Sequence, residues 1–69
     1  MYKNLLRAIR EGKGISQLKL SRITGIAPGT ISNIENGKIV AYPGWKRRLS
    51  AALGVPEAVI FPEYAEKEE

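Results

Sequence analysis

Residues 16–37 run Ser16-Gln17-Leu18-Lys19-Leu20-Ser21-Arg22-Ile23-Thr24-Gly25-Ile26-Ala27-Pro28-Gly29-Thr30-Ile31-Ser32-Asn33-Ile34-Glu35-Asn36-Gly37. This stretch predicts two short helices around a tight turn. Ser16 stands where an N-cap belongs, its side-chain oxygen able to accept from a backbone N–H left free in the first turn. A helix from Gln17 to Thr24 follows, with Leu18, Leu20 and Ile23 as its apolar residues, spaced for a partly buried face. Gly25 comes just after the last turn, where a chain reversal favours positive φ. Pro28 suits the first position of a second helix, because the N–H it lacks would have no partner there. Ile31 and Ile34 give that helix an i, i+3 apolar stripe, and Asn36-Gly37 ends it.

Helix, short glycine turn, helix is the outline of a helix-turn-helix. Gln17, Gly25, Ile31-Ser32 and Glu35-Asn36-Gly37 together resemble the Cro and phage-repressor type of helix-turn-helix DNA-binding domain, the XRE family. Leu6-Arg7-Ala8-Ile9-Arg10 before the core is similar to that family's first helix, and Leu49-Ser50-Ala51-Ala52-Leu53-Gly54-Val55 after it to the fourth helix and its stop. The resemblance spans about residues 3–61. It implies an all-α, lambda-repressor-like bundle of about five short helices with the helix-turn-helix at helices 2 and 3. It also implies that Gln17 touches the DNA backbone and that Arg10 and Glu35 form a structural salt bridge.

With 69 residues the chain makes one small domain, able to bury only about 60% of the surface of its unfolded form. It has no cysteine, hence no disulfide and no thiolate metal site. It has no histidine either, which removes the commonest general base and the commonest metal ligand. No paired-carboxylate cluster or phosphate-binding glycine loop replaces them: no G-x-G-x-x-G follows a strand and no G-K-[ST] occurs. The expectation is no catalytic residue, no cofactor and no metal. No apolar run approaches the roughly 20 residues of a membrane span, and the first residues lack a signal peptide's apolar block. A cytoplasmic location without membrane contact is expected.

The net charge of +4 hides an asymmetry. Residues 1–62 carry ten basic residues against Glu11, Glu35 and Glu57, a net of +7, while residues 63–69 hold Glu63, Glu66, Glu68 and Glu69 against Lys67 alone. A basic domain of residues 1–62 with an acidic, frayed tail at 63–69 points to a polyanionic partner. A solvated surface that keeps the protein dispersed would have the same composition.

Outside the core motif, Tyr2 to about Glu11 reads as helix 1 with Leu5, Ala8 and Ile9 inward. Pro43 opens a helix running to about Leu53, striped by Trp45, Leu49, Ala52 and Leu53 at i, i+4, i+7 and i+8. Pro56-Glu57 starts a last short helix through about Phe61.

The second helix of the motif belongs in the major groove with its N-terminal part nearest the bases. Gly29, Thr30, Ser32 and Asn33 are its candidate base-facing positions. Asn33 is able to pair bidentately with adenine and the Thr30 methyl to meet a thymine methyl, although an exposed polar residue on a helix face looks the same. Pro28 is better read as a helix starter. Gln17, Lys38, Lys46 and Arg47 are the candidate phosphate contacts. Cations early in a helix oppose its dipole by roughly 0.3–1 kcal/mol each, so Lys46 and Arg47 need another purpose, phosphate or a solvated face. Val59, Ile60 and Phe61 are consecutive apolar residues that point in different directions, a candidate dimer interface. The expected protein is a sequence-specific transcriptional regulator of bacterial or phage type, most simply a repressor. It binds a palindromic double-stranded operator as a homodimer and needs no small-molecule effector. The rival reading is a protein-interaction module of the same fold, antitoxin-like or bound by an antirepressor.

Overall fold

The computed structural model describes residues 3–62. Tyr2, expected to begin the first helix, and the acidic tail expected at 63–69 lie outside them. Within them the chain forms five helices and no strand: α1 (Leu6–Gly12), α2 (Gln17–Thr24), α3 (Pro28–Glu35), α4 (Pro43–Leu53) and α5 (Glu57–Ile60). The all-α bundle expected from the sequence is what the chain adopts. α2 packs against α3 and α4, α5 against α4, and α1 against α3.

The helix boundaries follow from local chemistry. Ser16 Oγ accepts from the Lys19 N–H at 3.0 Å and starts α2. Gly25 ends it at φ 77°, a conformation that penalises any residue with a Cβ. Thr24 donates its hydroxyl to the Leu20 carbonyl at 2.8 Å and accepts from the Ile26 N–H at 3.2 Å, which fixes the turn. Pro28 is the first residue of α3 and Pro43 the first of α4. After α3 the left-handed position falls to Gly37, φ 74°.

The core is built from Leu6, Leu20, Ile26, Ile31, Ile34, Ala41, Leu49, Leu53, Ile60 and Phe61, with Ile9, Trp45 and Ala52 partly buried against it. Each fully buried leucine or isoleucine stabilises the fold by about 1.5–3 kcal/mol.

Two expectations about inward faces are corrected. In α1 the buried apolar residue is Leu6, while Leu5 just before it and Ala8 are exposed. Asn4 decides this. Its Oδ1 accepts from the Leu6 N–H at 2.9 Å, so the helix starts at Leu6, and its Nδ2 donates to the Ile34 carbonyl at 2.9 Å, tying that start to the end of α3. Leu6 and Arg10, one turn apart, then form the inward row. In α2 only Leu20 of the three apolar residues is buried. Leu18 and Ile23 are 53% and 51% exposed, because α3 and α4 cover one side of the helix and these two lie on the other.

Candidate nucleic-acid interface

Three helices are joined by one carboxylate. Glu35, the last residue of α3, accepts from Arg10 Nε at 2.6 Å and from Arg10 Nη2 at 3.3 Å, a two-pronged contact from α1. Glu35 Oε1 also accepts from Gln17 Nε2, at the first residue of α2, at 2.9 Å. The remaining prong of Arg10, Nη1, donates to the Ile15 carbonyl at 2.7 Å. The Arg10 and Glu35 side chains are 9% and 2% exposed. A buried ion pair is tolerated only when its other hydrogen-bonding capacity is also used, and among the described residues no buried side-chain polar atom is left without a partner. The hydrogen bond to Glu35 holds the Arg10 guanidinium above the usual arginine range. Burial pulls the other way, and the charges of Glu35 and Glu11 add to the rise.

This knot sets how α3 is presented. Ile31 and Ile34 face the core, and Pro28, Gly29 and Asn33 are exposed, with Thr30 and Ser32 half-buried. At about 100° per residue, Gly29, Asn33 and Asn36 form the outer ridge, flanked by Ser32 on one side and Thr30 on the other. The Asn33 side chain makes no hydrogen bond among the described residues. Ser32 Oγ accepts from Asn36 Nδ2 at 3.4 Å. Asn36 thus joins Gly29, Thr30, Ser32 and Asn33 on this surface; the sequence marked it only as a helix end.

The candidate phosphate contacts divide. Gln17 lies at the start of α2 with its amide committed to Glu35, so one N–H and the carbonyl oxygen remain for a further contact. Lys38 is exposed just beyond α3, its backbone N–H bonded to the Asn33 carbonyl at 2.9 Å. Lys46 is half-buried and Arg47 exposed in the first part of α4. Arg48 points elsewhere: Nη1 donates to the Thr24 carbonyl at 3.5 Å, a cation at the negative end of α2. At the head of α4 the rings of Tyr42 and Trp45 pack with centroids 4.5 Å apart, and Tyr42 is 64% exposed.

The candidate dimer residues also divide. Ile60 and Phe61 are 0% and 3% exposed and belong to this chain's own core. Val59 alone of the three faces outward, and Leu5 stands beside that segment through the bond from its N–H to the Ile60 carbonyl at 2.8 Å. Two of these three candidates therefore serve to close a small bundle.

Among the described residues no three His, Cys, Asp or Glu side chains are placed to hold a metal ion. No helix there is long and apolar enough to cross a membrane.

Two short helices across a left-handed glycine, the second with a polar outer ridge and clamped at its end, define a helix-turn-helix module, a class whose members are generally DNA-binding regulators. The family model described as a helix-turn-helix domain matches residues 4–66, and the chain belongs to that family. This agrees with the resemblance to the Cro and phage-repressor type. No curated protein matches the chain.

Proposed function

We propose that this protein is a sequence-specific transcriptional repressor of bacterial or phage type, working in the cytoplasm, which reads the major groove of double-stranded DNA with α3. The observation that carries this reading is the clamped α3. Glu35, held by Arg10 and Gln17, fixes the end of the helix, while Gly29, Asn33 and Asn36 stay on its outer ridge. A fixed ridge presents polar side chains to base edges with little ordering to be done on binding. The net +7 of residues 1–62 supplies the sequence-independent attraction to phosphate. Gln17, Lys38, Lys46 and Arg47 are the positioning contacts, and Thr30, Ser32 and Asn33 the reading ones.

Repression is steric. Two copies pair about a two-fold axis through the Val59 side of α5 and place two α3 helices about 34–36 Å apart on a palindromic operator. With no effector, occupancy follows the protein's own concentration.

A second reading, a protein-interaction module, draws support from Pro28 and Gly29. They occupy the first two positions of α3 and offer no side-chain hydrogen bond there. Titration against duplex DNA at several salt concentrations separates the two. With about 6–10 phosphate contacts per dimer, affinity should fall roughly 10³–10⁵-fold between 50 and 200 mM salt. Flat affinity, or no binding at the lowest salt, rejects the DNA reading.

A further inference from the structure

The outward side of α2 is out of keeping with an ordinary solvated helix. At about 100° per residue, Leu20, Thr24, Gln17 and Ser21 occupy one side, and they are buried or half-buried. Leu18, Lys19, Arg22 and Ile23 occupy the other. Leu18 and Ile23 are each about half exposed. With Ser16 these four residues line an open groove of about 360 Å³. Rows Leu18–Arg22 and Lys19–Ile23, each one turn long, set an apolar residue next to a cation at both ends of the groove. α2 contains no acid, and neither Lys19 nor Arg22 forms an ion pair among the described residues.

Charge selects the occupant. A second copy docked face to face about a two-fold axis would set Lys19 and Arg22 against themselves. Nor do the described acids offer a complement: Glu35 is buried on Arg10, Glu11 pairs with Arg7, and Glu57 is a single charge in the first turn of α5. Duplex DNA would satisfy the two cations and gain nothing from Leu18 and Ile23. A surface with an apolar ridge edged by carboxylates satisfies all four. Rows at i, i+4 leave a groove that accepts the ridge of another helix.

We propose that the outer face of α2 docks an acidic amphipathic helix of a partner protein, its apolar residues between Leu18 and Ile23 and its carboxylates on Lys19 and Arg22. The patch is too small for the roughly 1,200 Å² of a stable interface, so the contact is transient. It is independent of DNA reading by α3, and a regulator so equipped could hold a second protein beside its operator.

The test uses the full chain, labelled with ¹⁵N. The probe is a helical peptide of about 20 residues with leucines at i, i+3, i+4 and i+7 and glutamates on both flanks. A second peptide carries lysine at each glutamate position. The glutamate peptide should shift amides at 16–23 and bind at least about tenfold more tightly than the lysine peptide. Lys19→Glu/Arg22→Glu should reverse that preference. Leu18→Ser/Ile23→Ser should weaken the glutamate peptide about tenfold with unchanged far-ultraviolet dichroism, unchanged sedimentation and unchanged affinity for duplex DNA. Equal binding of the two peptides, shifts confined to other helices, or no shifts at all overturns the proposal. So does a serine variant that changes oligomeric state, which makes the face a self-contact, or one that loses DNA affinity as Lys38→Ala does, which makes it a DNA contact. Should the serine variant unfold, the reversal by Lys19→Glu/Arg22→Glu decides alone. Peptide binding without any DNA binding would reject the repressor reading and leave this one standing.

Discussion

Gln17 Nε2 donates to Glu35 Oε1 at 2.9 Å, so the first residue of α2 holds the carboxylate that ends α3. The amide reaches across the motif to the C-terminal end of α3. A phosphate bound at the remaining Gln17 N–H would therefore be coupled, through Glu35, to Arg10 and α1.

Removing either member of the buried ion pair should be severe. Arg10→Ala strands the Glu35 carboxylate and Glu35→Ala strands the guanidinium; each should destabilise the protein by about 3–5 kcal/mol in urea unfolding. Arg10→Met/Glu35→Leu should lose less than either single variant. Equal or greater loss in the double variant would mean that the pair itself, and not the stranded charge, dominates.

The pair should also be insensitive to pH over the ordinary range. Arg10 has a raised folded-state pKa, so its contribution is complete below the unfolded value and fades only as pH climbs through the folded one. Both lie far above the ordinary working range of pH. The stability gap between wild type and Arg10→Met/Glu35→Leu should stay level from about pH 6 to 10; a gap that shrinks in that interval would place the responsible group elsewhere.

Base contacts specify and phosphate contacts position. Asn33→Ala and Thr30→Ala should relax sequence preference, Asn33→Ala by about 1–3 kcal/mol at one base pair. Lys38→Ala should weaken all sequences alike and lower the salt slope by about one. Gln17→Ala should also weaken all sequences alike but leave the salt slope unchanged, because its amide is neutral. In addition it should destabilise the protein by about 1 kcal/mol, because Glu35 loses a neutral donor. An unchanged preferred site and affinity in Asn33→Ala would refute the assignment of the reading face.

The punctuation of the chain was legible in its sequence, because Gly25, Pro28, Pro43 and Gly54 each act through their own backbone and Ser16 through a hydroxyl that reaches only three residues along. Faces were less so. Leu5 and Leu6 are chemically identical neighbours, and the choice between them is made by Asn4 and by the long-range demand that Arg10 meet Glu35. Leu18 and Ile23 satisfy a helical spacing yet lie outward, since periodicity says that a stripe exists and not that anything covers it. Arg10–Glu35 came from resemblance; nothing local in either segment specifies a contact across 25 positions. Asn4 did carry a local signal, an Asx residue two positions before the first buried leucine.

The acidic tail should oppose DNA binding. Residues 63–69 carry a net charge of −3, and a tethered anion competes with phosphate within a Debye length of about 10 Å at 0.1 M salt. Deleting 63–69 should tighten binding of random duplex at low salt, with the gain vanishing as salt is raised. An identical titration for the truncated and full chains would show the tail to be inert.

Val59 should decide pairing on the operator. Ile60 is fully buried, and Ile60→Ala should cost about 2–5 kcal/mol of stability, so changes there report on folding rather than association. Val59 is 46% exposed, and Leu5, 47% exposed, sits on the segment bonded to Ile60. Both are apolar side chains that this chain's own core leaves exposed. Val59→Asp should leave the thermal transition nearly unchanged, since surface substitutions usually stay within about 0.5 kcal/mol. It should abolish cooperative occupancy of two half-sites because a two-fold axis brings both new carboxylates together. Half-site affinity should persist, as α3 is untouched. If Val59→Asp fills a full palindrome with wild-type steepness and two copies per site, the pairing surface lies on another face of the bundle.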